Sequence, residues 1–201
     1  LAYILSSYFY SLARTAPNII GLKISPTSAI SILAEVAKIV GLDVPSSSAF
    51  TPQKRLALHF TELLDKASLK KGKSTWIEKN PQNLFFLPFI KKLDLNLRFI
   101  HIERKPKDVI AYIHYASKKH PDGWGYQKLE DVIRLCRQSY KINRSYEKEP
   151  EHFFCTHERL TTSPDILIPE LLQFLSLPPC DNLHLICGKQ VENISRKEDK
   201  W

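Results

Sequence analysis

What this sequence lacks narrows what it can be. It contains no methionine, so a chain that begins at Leu1 is expected to be missing residues at its start. It has no C-x-x-C pair: Cys136, Cys155, Cys180 and Cys187 stand apart from one another and from any histidine at ligand spacing, which argues against a metal site. No apolar run is long enough to cross a bilayer. The best candidate, residues 1–13 (LAYILSSYFYSLA), falls short of the roughly 20 residues a spanning helix needs and has no basic flank in front. It reads as a core helix, or else as the end of an anchor or signal, which leaves the membrane question open. The compartment is open too, with the cytoplasm favoured over the secretory pathway. Internal repeats and low-complexity segments are also absent.

What is present is an ordinary globular composition, 43% apolar and 25% charged over 201 residues, enough for one domain spanning 1–201 with a core that needs no staples. The formal charge of +8 calls for an acidic partner: nucleic acid, a phosphorylated nucleotide, an acidic peptide or a sulfated glycan. The basic residues are spread along the chain, with short clusters at 70–73, 91–92 and 118–119 that a solvated face explains equally well. Cys136 and Cys155 read as core thiols. Cys180 and Cys187 could bridge a short loop, although reduced thiols are expected. Asn143-Arg-Ser and Asn193-Ile-Ser match the glycosylation sequon, a motif short enough to arise by chance.

Along the chain, strand and helix patterns alternate. Residues 18–24 (NIIGLKI) predict a first strand. A turn at 25–28 leads into a helix carrying Ile32, Leu33, Val36, Ala37 and Val40, closed by Gly41. Residues 46–48 form a polar linker. Thr51 as cap and Pro52 then open a helix with Leu56, Phe60, Leu63 and Leu64 on one side, broken at 70–74. Residues 75–78 predict a short strand. Asn80 caps the next helix, with Pro81 inside it, and Pro88 should kink or end that helix.

Residues 97–112 (LRFIHIERKPKDVIAY) predict a buried strand that stops at Arg104 and turns at Lys105-Pro106 into a helix. That places a guanidinium at the carboxyl edge of a sheet beside helix-start N–H groups, both of which favour an anion; a surface charge at a turn is the plain alternative. After a loop at 120–125 comes a helix carrying Leu129, Val132, Ile133, Cys136 and Tyr140. Then follow a strand at 152–156 (HFFCT) and a helix capped by Ser163 with Leu167, Ile168, Leu171, Leu172 and Leu175 inward, stopped by Pro178-Pro179. The alternation predicts an α/β fold, a parallel sheet with helices on both faces.

Several of these stretches coincide with one family. WIEKNP (76–81), followed about twenty residues later by FIHIERKPKDV (99–109), resembles the W-x-x-K-x-P and R-x-P-x-D-V segments of sulfotransferases that use 3′-phosphoadenosine 5′-phosphosulfate. THERL (156–160), Ser163-Pro-Asp and LQFLSLP (172–178) resemble the later Y-E-x-L, D-P and F-L-x-L-P pattern of the same family. The resemblance implies a three-layer, P-loop NTPase-like parallel sheet flanked by helices. It also implies that nucleotide as sulfuryl donor, adenosine 3′,5′-bisphosphate as product, a hydroxyl acceptor that is a glycan, a peptide or a small molecule, and no metal.

Position by position, Arg104 matches the arginine that binds the nucleotide 3′-phosphate, a task suited to a bidentate fork. Eight residues on, where the family has serine, this chain has Tyr112. Lys79 matches a lysine that stabilises charge on the sulfuryl group during transfer, or else is a solvated lysine at a helix start. His157 replaces a tyrosine near the nucleotide. The loop resembling P-(R/K)-S-G-T-(T/S) corresponds to residues 26–31, where Pro26, Ser28 and Ser31 fit while Thr27, Ala29 and Ile30 replace the basic residue, glycine and threonine. The replacements remove a cation and narrow the backbone approach to phosphate. At the far end, Arg196, Lys197 and Lys200 resemble basic residues that cover the nucleotide, or form a flexible charged tail.

A general base, glutamate or histidine in the family, has no motif here. Asp43, His59 and Glu62 fall in the right region, and a lone His59 on an apolar helix reads as structural. Three readings follow: a sulfotransferase, a degenerate homologue that binds nucleotide weakly or serves as an interaction module, and a basic nucleic-acid-binding domain that has only the charge in its favour.

Overall fold

A computed structural model describes residues 26–43, 53–79, 81–119 and 128–179. The expectations for residues 1–13, 18–24, 46–48 and 120–125, for Thr51, Pro52, Asn80, Cys180, Cys187 and Asn193, and for the basic tail with Arg196, Lys197 and Lys200 lie outside the described residues. The chain divides into two compact units, Leu1–Asn96 and Leu97–Trp201.

The first unit is helical among its described residues. Helix α1, Pro26–Val40, packs against α2, Gln53–Lys70. Leu33 and Ala37 on α1, and Leu56, Phe60, Leu63 and Leu64 on α2, are buried. Helical spacing placed each of these on one face, so the pairing follows from burying two apolar stripes together. Gly41 ends α1 at φ +64°. Its N–H bonds to Lys38 O and that of Leu42 to Ala37 O, the paired closure that only a left-handed residue allows. Lys70 Nζ then donates to Val40 O at 3.2 Å and Gly41 O at 3.0 Å, so the last side chain of α2 satisfies the carboxyl end of α1.

Two expectations in this unit change. Residues 75–78 form no strand. Trp76 Nε1 instead donates to Asp65 Oδ1 of α2 at 2.8 Å. A four-residue alternation without a ladder cannot satisfy its backbone as a sheet, so side-chain anchoring takes over. The helix expected from Pro81 is instead two pieces that meet just before Pro88. A 3₁₀ turn, Pro81–Phe86, leads into the short helix α3, Leu87–Lys91, with Pro88 in its first turn, where its missing N–H is harmless.

The second unit holds a parallel two-stranded sheet. Strand β1, Phe99–Glu103, pairs with β2, His152–Thr156, in the register Phe99↔His152 through Glu103↔Thr156. Between them run α4, Pro106–Lys119, and α5, Leu129–Tyr146, which pack on each other. Parallel strands need such a crossover. After β2 come α6, His157–Thr162, and α7, Pro164–Phe174. Helix α6 was not anticipated. Its cap is Thr156, whose Oγ1 accepts from Arg159 N at 3.1 Å. Ser163 stands at the start of α7 but makes no side-chain cap; its backbone carbonyl accepts from Ile166 and Leu167 instead. Cys155 is buried and Cys136 half-buried, both as thiols. Alternating strand and helix, with a parallel sheet, make this an α/β fold.

Candidate functional site

The parallel register decides what shares the carboxyl edge of the sheet. Glu103 stands opposite Thr156, so the next residue of each strand, Arg104 and His157, leaves the sheet at the same end. Arg104 is half-buried and His157 is exposed at the first turn of α6. Lys105 O accepts from Asp108 N and Val109 N, which makes Lys105 the residue that opens α4. Glu158 turns back to this seam. Its own backbone N–H, and then the N–H and charge of Lys105, hold its carboxyl below the usual carboxylate range. The Glu158 carboxylate thus lies near the start of α4.

Tyr112 lies further along α4, about 9 Å from its first residue at 1.5 Å per residue, half-buried on the same unit. The structure therefore brings Arg104, Tyr112 and His157 onto the same three connected elements.

Other predicted positions fall in the first unit. The expected loop at 26–31 is helical from Pro26 onward, so Thr27 and Ser28 belong to the first turn of α1 and Ser31 to its second. Ser31 is exposed. Replacing glycine and threonine by Ala29 and Ile30 favours this early start, since alanine is the best helix former. Lys79 is exposed, directly after Glu78.

Glu78 was missed by motif reasoning. Burial pushes its carboxyl above the usual range, against opposing effects of a hydrogen bond from Asn83 and the charge of Lys79. Asn83 Nδ2 donates to Oε2, while Oε1 is buried with no hydrogen-bond partner among the described residues. No single residue type announces this; the signal is a carboxylate beside the motif lysine. Of the three base candidates, Asp43 and Glu62 are exposed, and His59 is buried with Arg55 Nε donating to its Nε2 at 3.0 Å.

Behind the carboxyl edge, β1 buries polar rather than apolar residues. His101 is 9% exposed, whereas Ile102 is 57% exposed. His101 Nε2 lies 2.8 Å from His152 Nδ1, and His101 Nδ1 lies 3.0 Å from Asn143 Oδ1 on α5. Asn143 Nδ2 donates in turn to Glu103 Oε1 at 3.0 Å. With both ends of its amide held, the Asn143 sequon does not present its acceptor nitrogen in the folded chain.

Among the described residues no group of three or more His, Cys, Asp or Glu is placed to hold a metal ion, and no helix is long and apolar enough to cross a membrane. No curated protein and no solved structure matches the chain. A family model described as the sulfotransferase family matches residues 29–181, which run from the first turn of α1 to beyond α7 and include the carboxyl edge with Arg104 and His157. That match covers most of the sequence, and the chain belongs to the sulfotransferase family.

Proposed function

We propose that this sulfotransferase takes 3′-phosphoadenosine 5′-phosphosulfate as donor and transfers its sulfuryl group to a hydroxyl acceptor. The observation that carries the reading is the β1–β2 register, which delivers Arg104 and His157 together to the carboxyl edge of a parallel sheet, where α/β folds bind ligands.

The residues present fit a phosphorylated nucleotide. Arg104 offers a two-pronged cation for the 3′-phosphate, and Tyr112 and His157 offer ring faces and hydrogen-bonding tips for the adenosine end. When bound, the nucleotide supplies the activated sulfuryl group. Lys79 would steady the sulfuryl oxygens, acting most where charge develops between entering and leaving oxygens. The resemblance assigns Thr27, Ser28 and Ser31, at the start of α1, to the 5′ end, without the cation that the family places there. The acceptor oxygen would form its bond to sulfur as the bond to the 5′-phosphate oxygen breaks, with the acceptor proton passing to a base or to solvent.

Calorimetric titration with adenosine 3′,5′-bisphosphate tests this. Micromolar binding is expected, weakened at least tenfold, or about 1.4 kcal/mol, by Arg104→Ala. No detectable binding to the intact protein overturns the reading. A second reading, a homologue that binds nucleotide but no longer turns over, is favoured by Thr27 in place of the cation and by the early start of α1. Transfer of radiolabelled sulfate to glycan, peptide and small hydroxyl acceptors separates the two. Strong, salt-dependent binding of generic DNA or RNA with no nucleotide response would instead favour the basic nucleic-acid-binding alternative.

A further inference from the structure

The donors and acceptors behind the carboxyl edge determine one another. The Glu103 carboxylate only accepts, so Asn143 must present its NH₂ there and its carbonyl to His101. A carbonyl only accepts, so His101 carries its proton on Nδ1. In the neutral ring Nε2 is then the acceptor, and the hydrogen on the 2.8 Å contact belongs to His152 Nδ1. That leaves His152 Nε2 as the basic nitrogen, with Glu149 Oε2 at 3.9 Å.

The pair is enclosed by rings. His152 stacks on Phe99 and Tyr146, and His101 stacks on Phe154. Among the described residues, the charged and titratable groups around it include Glu103 on β1, Cys155 on β2, Arg144 and Tyr146 on α5, and Glu149 in the turn before β2. Cys155 Sγ reaches His101 O, and Arg144 lies 4.0 Å from Glu103.

We propose that His101 and His152 form a one-proton latch joining β1, β2 and α5, and that a second proton opens it and loosens the strand end carrying Arg104. One added proton fits. It gives His152 an N–H toward Glu149, and a single hydrogen still lies between the two rings. Two added protons place an N–H on each side of a 2.8 Å contact, between two cations in a stacked, half-dry site. Burial already lowers the His101 pKa, against the raising effects of Asn143 and Glu103.

A histidine depressed in the folded state contributes stability that is present above its unfolded value near 6.5 and is lost as pH falls toward the folded value. As pH falls below about 6.5 the unfolded chain therefore binds up to one proton more than the folded one, and the unfolding constant rises up to about tenfold per pH unit from this pair.

Nitrogen-15 NMR of the full chain and chemical denaturation from pH 8 to 5 test the latch. Both histidines are expected as the Nδ1–H tautomer at pH 8. The acid loss of stability is expected to shrink in His101→Phe and in His152→Phe, which keep the ring stacks. An Nε2–H tautomer on His101, or an unchanged pH slope in both variants, overturns the proposal. If a variant fails to fold, the tautomers of the unaltered chain still decide.

The link to Arg104 rests on the nucleotide reading. It predicts that between pH 7 and 5.5 affinity for adenosine 3′,5′-bisphosphate falls at least threefold more in the unaltered protein than in His101→Phe. An equal fall overturns the link. Absence of binding at every pH overturns the nucleotide reading while the NMR and denaturation results stand on their own.

Discussion

The α1–α2 interface and the β1–β2 sheet bury different chemistry. In the first, α1 and α2 close over Leu33, Ala37, Leu56, Phe60 and Leu63, all 2% exposed or less. In the second, the parallel strands close over His101, His152 and the amide of Asn143, while Ile100 and Ile102 are exposed. The first kind of interior depends on apolar area and tolerates changes of pH. The second depends on every donor meeting an acceptor, so it is specific in register and sensitive to protons.

Substitutions can break this comparison. The largest effect is expected from Phe60→Ala, which leaves a cavity in the α1–α2 interface and should cost about 3–5 kcal/mol. Chemical denaturation should give the same loss at pH 8 and pH 6, and a strongly pH-dependent loss would contradict the assignment of this unit to apolar packing. Asn143→Ala removes the link between Glu103 and His101 and should cost about 1–3 kcal/mol, the typical effect of stranding buried hydrogen-bonding groups. The readout is again denaturation, and a neutral result would mean that the polar chain does not hold β1 to α5.

Gly41→Ala forces a side chain onto φ +64°, with its Cβ 2.8 Å from Lys70 Nζ. A loss of about 1–2 kcal/mol is expected from the left-handed backbone, together with displacement of the Lys70 ammonium from Val40 O and Gly41 O. Lys70→Met separates the two contributions: it should cost less than Gly41→Ala, because the exposed cap can be replaced by water.

The first unit was largely legible. Leu33 and Ala37, and the row from Leu56 to Leu64, are spaced so that local helix geometry alone puts them on one face. The same holds for Arg104, since an apolar run that ends at Arg-Lys-Pro sets both the strand and the helix start. The Asn83–Glu78 contact, the α6 cap at Thr156 and the return of Glu158 to Lys105 were not legible, because each depends on how a short irregular segment is anchored rather than on a period. Ser163 shows the converse: a good cap residue stands at a helix start without capping it, because its backbone adopts φ −142° and ψ 50°.

By itself, the sequence determined the α/β character, the helices of the first unit, the arginine at the end of β1 and membership of the sulfotransferase family. These rest on local periodicity and on motifs whose residues lie close together in the chain. Only the tertiary structure decided which face of β1 turns inward. His101, Asn143 and His152 are far apart in sequence, and alternation allows either Ile102 or His101 to be buried. The parallel register of β1 with β2, and the seating of α5 beside them, choose His101, because there Glu103, Asn143, His101 and His152 Nδ1 join in one hydrogen-bonded chain.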